Sequence, residues 1–471
     1  MAALNHPDRL LPADPGVRAI ARRLYDHVAG LPIVSPHGHC DPAWFADNAP
    51  FPDPARLLIV PDHYIFRMLH SQGVALESLG IARRDGGPVE TDPRAIWRVF
   101  AAHYHLFAGT PTRLWLDHTF ETLFGLTEPL GPDNAEACYA AIDARLKTDA
   151  YRPRALFERF GIEVLATTEG ALDDLRRHRA IAASGWPGRV VTTYRPDALI
   201  DPDHEDFAAN LDAFGAVTGC DIGTWAGYLD AHRARRAYFR DHGATATDHG
   251  LASARTANLA RAECEAIFDR LRSGRADKGD AALFRAQMLT EMAKMSVEDG
   301  MVMQIHPGSW RDHSAHIFKA FGRDKGFDIP MPTDYVGALK PMLDAVGHAP
   351  GLTVIVFTLD ETAYGRELAP MAGVYPCLKL GPAWWFFDSP DGIRRFRELT
   401  TETAGLYNTV GFNDDTRAFP SIPARHDMAR RIDCAFLAER VADHRLREDE
   451  AFALAEDLTV NLARRAYGFD R

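Results

Sequence analysis

Residues 31–41 read Leu-Pro-Ile-Val-Ser-Pro-His-Gly-His-Cys-Asp, a short apolar run that ends in two histidines separated by one residue. Side chains alternate between the two faces of an extended chain, so His37 and His39 can point the same way and hold one ion. An isolated His-x-His pair has little specificity in a chain with 20 histidines. Here, however, residues 31–34 are typical of a buried parallel strand, and α/β barrels carry their chemistry where such strands end.

The rest of the chain alternates between strand and helix patterns. Ahead of the first strand, Asp14, Pro15 and Gly30 suit the N-cap, first position and end of a helix. Strands are predicted at 31–34, 162–166, 189–193, 244–247, 301–305, 353–357, 374–380 and 408–412. The fourth is the weakest, because Ala-Thr-Ala-Thr is scarcely hydrophobic. Helical patterns lie between most of them, for example at 172–180, 254–272, 280–297 and 392–403. Eight such strands predict an α/β fold, a (β/α)8 TIM-type barrel.

One segment is too long for a single crossover between strands. Residues 41–160 are rich in aromatic residues and histidines and carry turn signals such as Asp53-Pro54 and Asp92-Pro93. Because this segment leaves the barrel after strand one, we expect a mainly helical insertion that lies over the barrel mouth and excludes water. The predicted organisation is therefore an N-terminal helix with strand one at 1–40, the insertion at 41–160, and the remaining barrel with C-terminal helices at 161–471.

Composition limits the classes of partner. The formal net charge of −12 argues against a nucleic-acid-binding surface, and an anionic substrate would need local arginines. No run of about 18 apolar residues indicates a membrane span. The six cysteines form no C-x-x-C pair, which is typical of reduced thiols in a cytosolic protein. We expect a cytoplasmic homo-oligomer that binds a small molecule and neither membrane nor nucleic acid.

Polar residues follow several of the predicted strands. Each alone has an ordinary structural explanation, such as a helix cap, a turn ion pair or a core aromatic. Their common position at strand ends is less expected by chance. They are His37 and His39 after strand one, Arg195 after strand three, Asp248 after strand four, His306 after strand five, Trp384 and Trp385 after strand seven, and Asp415 and Arg417 after strand eight. Several histidines with a carboxylate can surround a divalent ion of the zinc class.

These motifs together resemble the amidohydrolase superfamily and, within it, the uronate isomerases. The resemblance runs over nearly the whole chain, and its most specific elements are Asp-His-Tyr at 62–64 and Asp-x-Arg at 415–417. Further matching elements are Leu-Pro-Ile leading to His37-Gly38-His39, Thr167-Thr168 with His178, Arg195-Pro196-Asp197, Asp248-His249-Gly250, Trp384-Trp385-Phe386, Arg425-His426 and Arg430-Arg431.

The resemblance implies an aldose–ketose isomerase that interconverts D-glucuronate and D-fructuronate, and D-galacturonate and D-tagaturonate. Moving the carbonyl from C1 to C2 requires removal of the C2 proton, stabilisation of an enediol and return of a proton to C1. The resemblance gives the base role to Tyr64, with His63 beside it, and places Arg417 near the developing oxyanion. A free phenol has a pKa of about 10, so we expect Arg417 and the metal to lower the pKa of Tyr64 by about two to three units.

The remaining residues are assigned to the substrate. The fork of Arg195 matches the C6 carboxylate, Asp248 is expected to contact the sugar, and Trp384 or Trp385 is expected to form an apolar wall against it.

The resemblance also bears on the number of metal ions. Binuclear members of the superfamily carry a bridging lysine or carboxylate after strand four and a histidine after strand six. Here strand four ends at Asp248 and residues 357–360 read Phe-Thr-Leu-Asp. We therefore expect one divalent ion, zinc, held by His37, His39 and Asp415, with His306 either a fourth ligand or a hydrogen-bonding neighbour of the ion's ligands.

Two other functions are open at this stage. One is a hydrolase of the same superfamily that acts on a sugar-acid lactone, with Asp415 as the base for a metal-activated water. The other is a sugar-acid-binding protein without catalysis. The combination of Tyr64 and Arg417 favours the isomerase, because attack by water does not need a tyrosine base.

Overall fold

The computed structural model describes residues 4–470 and consists of parallel sheets surrounded by helices. Its strands are β1 Ile33–Ser35, β2 Ile162–Ala166, β3 Glu169–Gly170, β4 Arg189–Val191, β5 Tyr194–Arg195, β6 Ala246–His249, β7 Val302–Ile305, β8 Ser309–Trp310, β9 Ile329–Pro330, β10 Val354–Val356 and β11 Leu378–Leu380. Strands β8 and β9 form a small antiparallel pair, and the others pair in parallel. The α/β class and the parallel pairing predicted from the sequence are thus confirmed.

The parallel strands are neighbours in the order in which the chain makes them. β1 pairs with β2, β2 with β4, β3 with β5, β5 with β6, β6 with β7, β7 with β10, and β10 with β11. β2 and β3 are two parts of one strand path, and so are β4 and β5, since a Thr-Thr pair interrupts each path at 167–168 and 192–193. The polar ends of successive strands therefore meet at one edge.

The helices are α1 Pro15–Val28, α2 Pro42–Asp47, α3 Pro54–Leu58, α4 His63–Ser71, α5 Pro93–Ala102, α6 Pro111–His118, α7 Ala135–Leu146, α8 Pro153–Arg159, α9 Arg176–Ala183, α10 Asp197–Ile200, α11 Phe207–Thr218, α12 Trp225–Asp241, α13 Arg261–Arg272, α14 Lys278–Asp299, α15 Ala315–Phe321, α16 Val336–Val346, α17 Ala369–Val374, α18 Pro390–Ala404, α19 Ile422–Ala442, α20 Glu448–Glu456 and α21 Leu462–Tyr467. The predicted cap of α1 is present, because the Asp14 side chain accepts a hydrogen bond from the Val17 N–H. Seven of these helices, α2 to α8, lie between β1 and β2, as the sequence predicted for this segment.

Three predicted strands differ from the observed ones. The weak fourth run is a full strand shifted to Ala246–His249, so Asp248 lies inside the strand and not after it. The run 374–380 begins too early, since α17 includes Val374 and ends before Tyr375, whose conformation is extended ahead of Pro376. The run 408–412 makes only one parallel bridge, between Thr409 and Leu380.

The loss of the last strand has a local cause at Gly411. This residue has φ of +80°, and a Cβ there would lie 2.9 Å from the Leu458 carbonyl oxygen. A left-handed residue cannot continue an extended strand, so the ladder stops at Thr409. The chain then turns toward the helices at the C-terminus.

The side chains on one face of the strands form a core with the last helix. Val34, Val164, Ala246 and Ile355 share a buried cluster with Tyr467. The Tyr467 hydroxyl donates to Gln304 Oε1 at 2.9 Å. The C-terminal helix α21 therefore shares one buried apolar cluster with the parallel strands.

Two further predictions concern the whole chain. All six cysteines lie in the described part of the chain and are unpaired. Within residues 4–470, no helix combines the length and apolar character needed to cross a membrane.

Candidate active site

All of the predicted site residues line one cavity of about 540 Å³ at the edge where the parallel strands end. The lining includes His37, His39, His63, Tyr64, Arg195, Asp248, His306, Trp384, Trp385, Asp415 and Arg417. The strand ends supply most of them, while His63 and Tyr64 come from the start of α4 in the segment between β1 and β2. The cavity is therefore built jointly by the sheet edge and that helical segment.

His37, His39 and Asp415 offer three ligand atoms that all lie within 4.8 Å of one another. Asp415 Oδ1 is 3.1 Å from His39 Nε2 and 3.5 Å from His37 Nε2. This oxygen is buried and accepts no hydrogen bond from the described residues. Two imidazole nitrogens and a carboxylate oxygen form a donor set that suits a divalent ion of the zinc class. These residues therefore fit a bound cation.

The charge states at this cluster also suit a cation. Burial lowers the pKa of His39, which favours the neutral imidazole that a metal needs. Burial alone would raise the pKa of Asp415, but the neighbouring His37 and His39 outweigh it and hold that pKa far below its usual range. Asp415 is thus an ionised carboxylate at neutral pH.

His306 lies against this cluster but bonds to a different carboxylate. Its Nδ1 lies 2.7 Å from Asp248 Oδ1, and its ring stacks on that of His37 with a centroid distance of 4.7 Å. Burial lowers the pKa of His306 to about 4, although Asp248 opposes this shift. His306, Asp248 and His37 form a second close group that shares only His37 with the first. The Nε2 of His306 is buried and has no hydrogen-bond partner among the described residues.

The two tryptophans have different environments. The Trp384 indole N–H donates to Asp415 Oδ2 at 2.7 Å, which fixes the carboxylate with its other oxygen toward the histidines. The Trp385 ring stacks on His63 with a centroid distance of 5.1 Å. Trp384 thus orients a candidate metal ligand, a role that the sequence analysis did not predict. Trp385 forms an aromatic wall beside His63.

Arg195 is held by two carboxylates at the cavity wall. Its Nε donates to Asp197 Oδ2 at 2.8 Å, and its Nη1 lies 3.2 Å from Asp248 Oδ2. Gly250 makes room for the remaining nitrogen, since a Cβ at this position would lie 2.2 Å from Arg195 Nη2 and 2.7 Å from Arg311 Nη2. Two guanidinium groups therefore converge beside Gly250. Arg311 was not among the residues predicted from the sequence.

Arg417 lines the cavity, and its nearest carboxylate partner is Asp324. It is 4.0 Å from Asp324 Oδ1. Burial raises the pKa of Asp324, but Arg417, Arg195 and Arg311 together hold it below its usual value. Burial lowers the pKa of His63 to about 3, and Arg417 adds to this shift. Arg417 thus lowers the pKa values of His63 and Asp324.

The residues that the structure brings around Tyr64 raise its pKa, whereas the sequence analysis expected a lowered one. Burial raises the pKa of Tyr64 well above its usual value, and the Asp388 carboxylate raises it further. Arg425, and not Arg417, is the cation that opposes this shift. The Tyr64 hydroxyl donates to Asp388 Oδ2 at 2.9 Å. Tyr64 is therefore a neutral phenol with a carboxylate partner.

Sequence reasoning missed Asp388 because it lies in a loop after β11 with no motif of its own. Arg425 belongs to the Arg-His element that the sequence analysis noted, but without a role. Tyr64 and Asp388 are 324 residues apart in the chain, so no sequence pattern could have predicted their hydrogen bond. Asp62 could be recognised locally, since its side chain caps α4 by accepting from the Tyr64 N–H at 2.9 Å.

Comparison with known proteins identifies the family to which this site belongs. A family model described as glucuronate isomerase matches residues 16–467. The chain belongs to the glucuronate isomerase family. A uronate isomerase from Mesorhizobium japonicum is 67% identical over 467 residues, which cover 99% of this chain and 100% of the relative. The resemblance deduced from the motifs and the expectation of an isomerase are thus confirmed.

Solved structures agree with this membership in the glucuronate isomerase family. The crystal structure of glucuronate isomerase from Caulobacter crescentus is 58% identical, covers 100% of this chain and 98% of its own, and has a TM-score of 0.98. That of uronate isomerase from Thermotoga maritima is 25% identical, covers 98% and 99%, and has a TM-score of 0.91. The fold around the cavity is therefore the one shared by these isomerases.

Proposed function

We propose that this member of the glucuronate isomerase family interconverts D-glucuronate with D-fructuronate, and D-galacturonate with D-tagaturonate, through a cis-enediol. The observation that carries the proposal is the convergence of a cation-binding cluster, a tyrosine and several arginines on one cavity of about 540 Å³. A hexuronate has both of the features that these groups match, an anionic carboxylate and a chain of oxygens beside a carbonyl.

The proposed cofactor is one divalent ion, zinc, held by His37, His39 and Asp415. Support comes from the unpartnered Asp415 Oδ1 and from the imidazole of His39, which burial keeps neutral. When bound, such an ion polarises the substrate oxygens that it contacts and makes the neighbouring carbon acid stronger. Trp384 orients Asp415, while Asp248 orients His306.

The proton is proposed to move through Tyr64 between C2 and C1. Tyr64 takes the C2 proton as the C1 carbonyl electrons move to O1, and it later returns a proton to C1. Arg417 is assigned to the oxygen that becomes negative, and His63 lies beside the phenol with a ring centroid distance of 5.1 Å. The walls formed by His63 and Trp385 help to exclude water from this side.

Arg195 is assigned to the C6 carboxylate of the substrate. Its guanidinium is fixed by Asp197 and Asp248, so its orientation is set before the substrate arrives. Arg311 lies beside it across Gly250 and adds positive charge on the same wall. An acidic protein can thus bind an anion by concentrating arginines locally.

The wider architecture is part of the same proposal. The parallel strands follow chain order, and the His39 N–H donates to the Thr416 carbonyl at 3.0 Å beside the first and last strand positions, which supports closure into a (β/α)8 barrel. We divide the chain into 1–40, 41–160 and 161–471, with the middle segment over the barrel mouth. The unpaired cysteines suit a cytoplasmic enzyme, and a homo-oligomer that binds no nucleic acid remains our expectation.

The test is incubation of the purified protein with glucuronate, galacturonate and a panel of sugar-acid lactones. We expect ketose formation from the uronates and no hydrolysis of lactones. Lactone hydrolysis without ketose formation would favour the hydrolase, and binding without turnover would favour a binding protein.

A further inference from the structure

The phenol of Tyr64 and the guanidinium of Arg425 meet on one buried carboxylate. Asp388 Oδ2 accepts a hydrogen bond from Tyr64 Oη at 2.9 Å and another from Arg425 Nη1 at 2.8 Å. Asp388 is 5% exposed and Arg425 is 1% exposed. Tyr64 and Arg425 both line the cavity, and none of the roles assigned so far explains why they share a buried carboxylate.

Arg425 is itself fixed in place. Its guanidinium carbon lies 3.6 Å from the centre of the Trp115 ring, and its Nη1 also donates to the Asp414 carbonyl at 3.2 Å. Burial raises the pKa of the Asp388 carboxyl above its usual value, which makes it a better proton acceptor, while the charged guanidinium at hydrogen-bond distance opposes that rise and favours the ionised form. The pair therefore presents a rigid acceptor to the Tyr64 hydroxyl.

The direction of the bond determines what the phenol offers to the cavity. A hydroxyl has one proton, and an ionised carboxylate can only accept, so the Tyr64 proton points to Asp388. The lone pairs of the phenol oxygen then face away from Asp388. Since burial and Asp388 raise the pKa of Tyr64, this oxygen belongs to a neutral phenol. A neutral phenol is a weak base unless its own proton leaves as another arrives.

We propose that Asp388 acts behind Tyr64 as a proton reservoir, taking the phenol proton while Tyr64 takes the C2 proton of the substrate. This inference rests on the proposed function and assigns Asp388 as a positioning residue, because it acts through Tyr64. Its second effect is to fix the phenol so that its lone pairs meet the reacting carbon.

The transfers balance without an oxidant or reductant. In the first half, the C2–H bond breaks, its proton joins the Tyr64 oxygen, the former Tyr64 proton joins Asp388, and the carbonyl electrons move to O1. A proton then passes from O2 to O1 within the enediol. In the second half, Tyr64 gives its proton to C1, O2 becomes the carbonyl oxygen, and Asp388 returns its proton to Tyr64. Tyr64 remains neutral throughout, so its raised pKa is no obstacle.

The decisive comparison is between Asp388→Asn and Asp433→Asn. The asparagine at 388 keeps an oxygen that can accept from Tyr64 but cannot take up its proton. Asp433 is a matched control, because it lies on the same helix α19 as Arg425 and forms an equally buried ion pair with Arg397 at 2.7 Å and 2.9 Å. We expect kcat of Asp388→Asn on a hexuronate to fall by about 10²–10⁴ with KM within a few-fold. Asp433→Asn should lower Tm and keep kcat within a few-fold.

Two more measurements separate proton transfer from a merely structural role. Asp388→Glu restores a carboxylate and should recover part of the lost kcat, whereas its Tm need not recover. Near-ultraviolet difference spectra against Tyr64→Phe report the ionisation of Tyr64, which should move to lower pH in Asp388→Asn because a neighbouring negative charge is gone. The other charged groups that act on the phenol, Arg425 and Asp415, are unchanged in this comparison.

The outcomes are distinct. A parent protein that converts no hexuronate refutes the proposed function, and the relay with it. An active parent whose Asp388→Asn variant keeps kcat within threefold overturns the relay alone. A large loss of kcat with folding and metal content maintained, partial rescue by Asp388→Glu and a shifted Tyr64 ionisation support it.

Discussion

Asp415 shows how a single hydrogen bond can prepare a metal ligand. The Trp384 N–H holds Oδ2, so Oδ1 faces His37 and His39. We predict that Trp384→Phe weakens zinc binding by about 10–100-fold, because the carboxylate loses its orientation while the aromatic packing is kept. Competition with a chromophoric chelator measures the affinity. Trp385→Phe is the control, since its ring stacks on His63 and its indole N–H has no hydrogen-bond partner among the described residues; equal affinities in both variants would contradict the role of Trp384.

Arg195 and Arg417 should differ in their kinetic effects. Loss of a carboxylate clamp weakens substrate binding, whereas loss of charge stabilisation at the reacting oxygen lowers turnover. We therefore expect Arg195→Met mainly to raise KM and Arg417→Met to lower kcat by about 10²–10³. Steady-state kinetics on a hexuronate separates the two. The reverse pattern would exchange the roles, and two variants with parent kinetics would remove both arginines from the site.

Tyr64 should transfer a proton that can be traced by isotope labelling. In heavy water, deuterium at C1 of the ketose indicates proton transfer, because a hydride shift keeps the original hydrogen. Tyr64→Phe should lower the rate by about 10²–10⁴, the usual value of one general base. Nuclear magnetic resonance of C1 together with initial rates provides the measurement. Near-normal turnover of Tyr64→Phe would exclude tyrosine from the mechanism.

At the scale of secondary structure, Gly411 decides where the last strand position stops. Its φ is +80°, and an added Cβ would meet the Leu458 carbonyl oxygen at 2.9 Å. We predict that Gly411→Ala costs about 1–3 kcal/mol of folding free energy and lowers Tm. Gly373→Ala is the control, because that glycine lies in α17 with no atom within 4 Å of an added Cβ; helix propensity should make it neutral or stabilising. Equal Tm values for both variants would show that the turn at Gly411 is not strained.

The same scale shows which elements the sequence could predict. The alternation of side chains after β1 brought His37 and His39 together, and Asp14 marked the start of α1, because both signals are local. β6 was misplaced by two residues, since its pairing with β5 along one edge and β7 along the other outweighs the weak propensity of Ala-Thr-Ala-Thr. The strand predicted at 408–412 failed because Gly411 adopts a φ of +80°, which the apolar pattern of this run does not indicate.

At the scale of the whole molecule, the candidate site was largely predictable and its supporting contacts were not. Parallel strand ends meet at one edge whatever the loops do, so His306, Asp248 and Asp415 could be grouped from their positions alone. Partners such as Asp388 for Tyr64, or Trp384 for Asp415, depend on how loops pack across the cavity. The expectation that Arg417 lowers the Tyr64 pKa failed for this reason, since the cation that faces the phenol is Arg425.

Metal binding should couple this site to the stability of the whole chain. His37 follows β1, and Asp415 follows the single bridge at Thr409 that ends the series, so an ion bound by both links the two ends of the strand series. A ligand that binds only the folded state stabilises it by RT ln(1 + [L]/Kd), about 4 kcal/mol at a free concentration 1,000 times Kd.

We predict that chelation lowers Tm of the parent, that zinc restores it at one equivalent, and that Asp415→Ala neither binds zinc tightly nor responds to the chelator. His306→Ala should keep one equivalent, because His37, His39 and Asp415 form a group of ligand atoms that does not include His306. Elemental analysis with thermal scans tests all of these; two tightly bound equivalents, or loss of zinc from His306→Ala, would contradict a single ion held by His37, His39 and Asp415.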